Sequence, residues 1–284
     1  MRVCYNEHIL LCCVEKMKSR ITKILICLFA VVFLFAGWKL FSIYRAYASA
    51  KAQYENLEQF VSFSTVPPSE IVFEEVQEQE TSEDIPEIQE AEPLPIPQVD
   101  FSALREINPD IVGWLFIEST RINYPVVQGI DNNFYLRRQF DGEHNSAGCL
   151  FLDAANDASF EDFNQIIYGH HMNDGSMFRD LIRYDDQAFF EAHPIGWFIT
   201  PSAVYRLDFF SSYVSDVLGD AWTTDFAETD YAEWLVRCKE QSRFDCDVIP
   251  TANDCILTLS TCSYVFQNAR FVLHAVLQKE AVFE

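Results

Sequence analysis

The 284 residues contain no glycine-rich phosphate loop, no dinucleotide-binding fingerprint and no internal repeat. These absences set aside nucleotide-dependent enzymes and solenoid architectures. Cysteine and histidine nowhere fall at zinc-ligand spacing. The acids of Asp153–Asp162 lack both the ligand spacing and the fixed glycine of a calcium-binding EF-hand, so that stretch reads as a solvated loop. No metal and no cofactor is expected. Positive charge is also scarce: 20 Lys and Arg stand against 43 Asp and Glu, a net charge of −23 that argues against nucleic acid as a partner. Between Lys51 and Arg105 there is no basic residue at all, while Glu70–Glu92 holds ten acids and Pro67, Pro68, Pro86, Pro93, Pro95 and Pro97 punctuate the same region. That composition fits a solvated, self-repelling spacer, assigned here to residues 45–98.

Against that background one apolar segment stands out. Ile24–Trp38 carries no charge, and Leu40–Tyr44 extends it after Lys39. Taken as one tilted helix over residues 21–44, with Lys23 and Lys39 reaching toward the headgroups, it is long enough to cross a bilayer. Lys16, Lys18, Arg20 and Lys23 precede or open it, which places residues 1–20 in the cytoplasm and everything after the span outside the cell. A cleaved signal peptide is the alternative. However, no small-x-small site directly follows the apolar run, Ala48-Ser49-Ala50 lying farther on. Met17-Lys18-Ser19-Arg20 itself has the form of a normal start. Residues 99–284 are left as the folded extracellular domain.

That domain opens with a short amphipathic helix, Asp100–Ile107, capped by Asp100 and stopped at Asn108-Pro109. Short alternating or apolar runs follow at Gly113–Ile117, Tyr124–Gln128, Cys149–Asp153, Gln165–Tyr168, Gly196–Thr200, Val204–Val214, Cys255–Thr261 and Arg270–Leu277. Turn signals such as Asp141-Gly142, Asn173-Asp174-Gly175 and Pro201-Ser202 separate them. Many short strands with few helices argue for a mainly β fold, a closed barrel or a sandwich. Asp230–Ser242 departs from this pattern, with Tyr231, Trp234, Leu235 and Cys238 at helical spacing, an aromatic stripe read as core packing.

Nine cysteines are present, and four of them (Cys4, Cys12, Cys13 and Cys27) precede or enter the apolar segment. Cys149, Cys238, Cys246, Cys255 and Cys262 remain outside, an odd number that leaves at least one thiol unpaired. Cys238 and Cys246 are read as free, buried thiols. Cys262 is the candidate nucleophile. It ends a strand on which Leu257 and Leu259 point to one face, Ser260 and Cys262 to the other. A thiol attacks only as thiolate and needs a base or cation beside it. Ile166-Ile167-Tyr168-Gly169-His170-His171 supplies imidazoles where an apolar run ends in glycine, and Arg270 supplies a guanidinium eight residues after Cys262. Nucleophile, acid/base and oxyanion clamp together make a plan for acyl transfer.

Leu259-Ser260-Thr261-Cys262 with downstream Arg270, and upstream Tyr168-Gly169-His170, resemble the signature of the sortases, cysteine transpeptidases of Gram-positive cell surfaces. Ile122-Asn123-Tyr124-Pro125-Val126-Val127-Gln128-Gly129, Asp131-Asn132 through Tyr135-Leu136, and His170-His171-Met172 through Ser176-Met177-Phe178 resemble class B in particular. The resemblance covers roughly Phe101–Leu277. It implies an eight-stranded β-barrel with a helix before the nucleophile strand. It also implies Cys262 as nucleophile, His170, the imidazole directly after the glycine, as acid/base, and Arg270 as clamp. His171, His193 and His144 are left as loop histidines, and His274 as a packed or surface residue. Tyr168, Ser260, Thr261, Asn132 and Leu136 match substrate-binding positions, and Trp222 is a further candidate for the groove wall.

The implied reaction cuts a C-terminal sorting motif of a secreted protein through a cysteine thioester. The acyl group then passes to an amine of peptidoglycan or of a pilin subunit. Class B relatives tend toward Asn-Pro-rich motifs. Two rivals remain at this level: a hydrolytic cysteine peptidase on the same fold, and a non-catalytic surface-binding module.

Overall fold

The alternation of apolar and polar residues turns into eight strands wrapped on themselves, preceded by a long helix. The computed structural model of the chain describes residues 3–64, 96–226, 228–263 and 265–283. The long helix, α1, runs Val3–Leu57. Among the described residues, the helical stretch Arg20–Phe60, α1 with the 3-10 turn that follows it, is the one long and apolar enough to cross a membrane.

The chain divides into two compact units, Met1–Ser49 and Ala50–Glu284. In the first, Ile24, Phe29, Phe33, Leu34 and Trp38 are all exposed. The second unit reaches nearer the N-terminus than the start at residue 99 expected from sequence. Ala50, Tyr54 and Leu57 are buried, spaced as one helical stripe. The Tyr54 hydroxyl donates to the Gly148 carbonyl (2.6 Å).

Next come strands β1 (Val61–Ser64) and β2 (Ile96–Val99), paired antiparallel with Ser64 opposite Ile96. The acid-rich run Glu70–Glu92 lies outside the described residues. Of the region 45–98 read as a spacer, the described residues from Ala50 onward fall in this second unit, including β1 and β2.

Helix α2 (Phe101–Ile107) carries its cap as read, the Asp100 carboxylate accepting from the Ala103 N–H at 3.0 Å. The remaining strands are β3 (Ile111–Phe116), β4 (Asn123–Gln128), β5 (Leu150–Leu152) and β6 (Asn164–Tyr168). After a short helix α3 (Gln187–Ala192) come β7 (Ile195–Ile199) and β8 (Ala203–Asp216). Helix α4 (Glu228–Glu240) precedes β9 (Ile256–Cys262) and β10 (Ala269–Val282). Strands β3 to β10 close a barrel in the order β10-β8-β7-β3-β4-β5-β6-β9, the eight-stranded fold expected.

Two of the barrel's pairings are parallel, β4 with β5 and β6 with β9; the others are antiparallel. Closure removes free sheet edges, and the parallel pairs need long connections that bring distant segments side by side.

Helix α4 covers the outer face of β8, β9 and β10. Tyr231, Trp234, Leu235 and Cys238 pack with Phe210, Tyr213, Ile256, Val272 and Val276. The stripe read as core is core. The Ser260 face of β9 is therefore not a wet surface: Thr258 and Ser260 are as buried as Leu257 and Leu259. Under α4 this face carries a polar chain. Asn164 donates to the carbonyls of Ala221 and Thr223, which leaves its oxygen to accept from the Thr258 hydroxyl at 2.6 Å. Thr258 Oγ1, its proton spent, accepts from His274 Nδ1 (2.8 Å), and His274 Nε2 faces the Tyr213 hydroxyl (3.1 Å). His274 is fully buried, and burial drives its pKa down to about 3. It is a packed, neutral histidine binding three strands.

Candidate active site

Strand register alone assembles the site. In the parallel β6–β9 pair Tyr168 lies opposite Ser260, and the Gly169 N–H continues the ladder to the Ser260 carbonyl (3.1 Å). His170 thus leaves β6 level with the end of β9, where Cys262 sits. In the antiparallel β9–β10 pair Arg270 is the direct cross-strand partner of Cys262, and side chains on such partners lie side by side.

Gly169 is required by contact. A Cβ there would stand 2.4 Å from Leu150 Cδ2 and 2.6 Å from Phe178 Cδ2. The strand turns away from the barrel against these two side chains, and the Phe178 N–H caps the turn on the His170 carbonyl (2.9 Å).

Cys262, His170 and Arg270 line one cavity of about 380 Å³. Tyr168, Ser260, Thr261, Asn132 and Leu136, each expected there from sequence, line it too, as does Trp222. Phe151 and Val217 complete the wall; no sequence signal marked either, Phe151 reading as an ordinary apolar strand residue and Val217 lying just past the strand expected over Val204–Val214. The cavity wall also holds unused polar capacity: Ser260 Oγ and Thr261 Oγ1 are buried and, among the described residues, find no hydrogen-bond partner.

The imidazole of His170 is oriented by Leu136, whose carbonyl lies 2.6 Å from Nε2. A carbonyl only accepts, so Nε2 carries the proton. Gly148, at φ +62°, lets the Tyr135–Leu136 segment approach: a Cβ there would meet the Leu136 carbonyl oxygen at 2.8 Å and His170 Cδ2 at 3.1 Å.

His171 points elsewhere. It is buried and close to the Arg179 guanidinium, and it bonds the Cys262 backbone. Burial, then the Arg179 charge, hold its pKa below the ordinary histidine value against the opposing effect of that bond. It is a brace under the end of β9 rather than a plain loop histidine.

The free thiols differ in kind. Burial pushes Cys149 and Cys238 up to about 12, and Cys255 up as well, so these stay protonated and inert. Cys246 is half-buried, against the buried placement expected from sequence, and bonds Lys239 Nζ at 2.7 Å. Among these five, Cys262 alone lines the cavity. Tyr168 keeps its proton: burial and then the neighbouring Asp153 charge raise its pKa, with Arg270 pulling it back. Such an arrangement can hold a carbonyl between a thiol and a fixed cation, with a proton donor at hand for a leaving amine.

The family model for the sortase domain matches residues 115–278. Sortase B of Staphylococcus aureus is 33% identical over 267 residues, covering 93% of this chain and 99% of that protein. The structure of a Staphylococcus aureus sortase B-substrate complex matches with a TM-score of 0.60 at 39% identity, covering 63% of this chain and 84% of that one. A sortase B complexed with triglycine matches equally well, at 0.60 and 39%, over 63% of this chain and 85% of that one.

Proposed function

The chain belongs to the sortase family, in its class B, and we propose that this cysteine transpeptidase works with Cys262, His170 and Arg270 as its reacting groups. What carries the assignment of roles is the double register: Arg270 across from Cys262 on β10, and Tyr168 across from Ser260 on β6. Three groups far apart in sequence meet in one cavity for that reason alone.

Cys262 as thiolate attacks the scissile carbonyl, with Arg270 holding the oxygen as it turns negative. Collapse breaks the C–N bond. The imidazolium form of His170, its Nε2–H held by the Leu136 carbonyl, gives its Nδ1 proton to the departing amine and becomes neutral, leaving a thioester on Cys262. An incoming amine then loses its proton to His170 and displaces the sulfur, so the acyl group moves to a new peptide bond and the thiolate is restored. Ser260, Thr261, Tyr168, Asn132 and Leu136 hold the peptide while this happens.

Residues 21–44 span the membrane once, with residues 1–20 in the cytoplasm and the catalytic unit outside. The substrate is a secreted protein with a C-terminal sorting motif. The acceptor is an amine of peptidoglycan or of a pilin. Triglycine serves as a test acceptor, because one of the similar sortase B structures is a complex with it.

The test uses an Asn-Pro-containing peptide with and without triglycine. Wild-type protein is expected to form an acyl-enzyme visible by intact mass and a triglycine-linked product; Cys262→Ala is expected to form neither. Wild-type rates in Cys262→Ala would refute the role of the thiol. Hydrolysis product alone at saturating triglycine would argue for a peptidase instead.

A further inference from the structure

Asp153 stands one residue beyond β5 and is only 8% exposed, although the run it opens reads as solvated loop. Its Oδ2 accepts two bonds, from the Tyr168 hydroxyl (2.8 Å) and from Asn132 Nδ2 (3.0 Å). Its Oδ1 accepts the Ala155 N–H (2.9 Å). The other end of the Asn132 amide is also tied, Oδ1 taking the Ala154 N–H at 2.8 Å. Asn132 and Tyr168 line the catalytic cavity; Asp153 sits behind them. A buried carboxylate thus fixes two side chains of the wall, one of which, Asn132, is on an exposed turn with no other anchor of this strength.

We propose that Asp153 is a positioning residue for substrate recognition, acting on the peptide through Asn132 and Tyr168. This rests on the cavity being the peptide groove of the transpeptidase. The direction of its effect follows from proton counting. Tyr168 has one hydroxyl proton and Asn132 two amide protons; Asp153 takes the first and one of the other two. What the wall then offers is mostly acceptor, the Tyr168 oxygen and the free lone pair of Asn132 Oδ1. Arg270, on the other side, offers donors alone. The groove is therefore divided, and it selects a substrate that turns N–H or O–H groups toward Tyr168 and Asn132 and its scissile carbonyl toward Arg270.

Asp153→Asn tests this with almost no change of shape. An amide has one oxygen, so its NH2 must face either the two donors at Oδ2 or the Ala155 N–H, and at least one bond is lost. The Asn-Pro-containing peptide is expected to show a KM raised by roughly tenfold, the usual scale for a lost hydrogen bond to a charged group. Its kcat and the rate of Cys262 alkylation by iodoacetamide stay as in wild type. Wild type should discriminate against the same peptide N-methylated at successive backbone positions, and Asp153→Asn should discriminate less. A structural role alone would not move that ratio.

Should Asp153→Asn fold poorly, Tyr168→Phe and Asn132→Ala approach the contact from the groove side and should raise KM in the same way. Unchanged KM in Asp153→Asn, or in both of the other variants, overturns the proposal, as does a parallel fall in alkylation and turnover. Failure of the wild type to cleave the peptide would instead sink the transpeptidase reading, and this proposal with it.

Discussion

Acid should loosen this barrel through one residue, His274. In the unfolded chain a histidine takes up its proton near pH 6.5; in the fold His274 does so only near 3, because its site admits no charge. Between those values the unfolded chain holds one more proton than the folded one, so stability falls as pH falls. The contribution is intact above about pH 6.5, is lost at about 1.4 kcal/mol per pH unit below it, and levels off near pH 3. At pH 5 the loss amounts to about 2 kcal/mol, a large share of the 5–15 kcal/mol typical of a domain. His171, also held below its ordinary pKa, works in the same direction, so the readout must be a difference.

Chemical denaturation of the chain in detergent micelles at pH 7.5 and pH 5 supplies it, wild type against His274→Gln. The variant begins less stable, having lost one of two hydrogen bonds, but should lose about 2 kcal/mol less on acidification. Parallel pH curves for the two proteins would refute the reasoning, as would an imidazole NMR titration placing His274 near 6.5.

Three further outcomes are expected. Gly169→Ala puts a methyl group 2.4 Å from Leu150 and 2.6 Å from Phe178, which should cost about 1–3 kcal/mol and, by shifting His170, about a hundredfold in kcat/KM. Wild-type kinetics and Tm would contradict it. Arg270→Ala should lower kcat by about a hundred- to a thousandfold, the scale of a lost oxyanion donor, with far-UV dichroism unchanged; Arg270→Lys should recover only part. Trp234→Ala, which empties the centre of the α4 cluster where Trp234 is fully buried, should cost about 3–5 kcal/mol by denaturant titration while leaving KM for the peptide near wild type.

The strands were readable because each is apolar and bounded by turn residues; β4, predicted as Tyr124–Gln128, runs Asn123–Gln128, while β8 and β10, 14 residues each, run past the expected Val204–Val214 and Arg270–Leu277. The cap at Asp100 and the Tyr231–Cys238 stripe were readable for the same local reasons. The helix α3 was not read, at six residues being too short to show a period, although Asp186 caps it by accepting from the Phe189 N–H. Sheet β1–β2 was hidden by its setting, since each strand borders an acidic, proline-bearing stretch. Asp153 was misread because acids nearby in sequence suggested water, whereas its own side chain turns inward to Tyr168 and Asn132.

The chain's local chemistry, read without coordinates, determined which residue types carry the reaction, that an apolar helix precedes the catalytic unit, and that the unit is built mainly of strands. Those are properties of neighbours in sequence. Tertiary structure alone decided that a parallel pairing sets the end of β6 beside the end of β9, that α4 seals the polar face of β9, that His274 is packed rather than at the surface, and that Asp153 and His171 are buried where sequence suggested solvated and loop positions. The reason is range: β6 and β9 pair across some ninety residues of chain, and the burials depend on closure of the whole barrel, which no local pattern encodes.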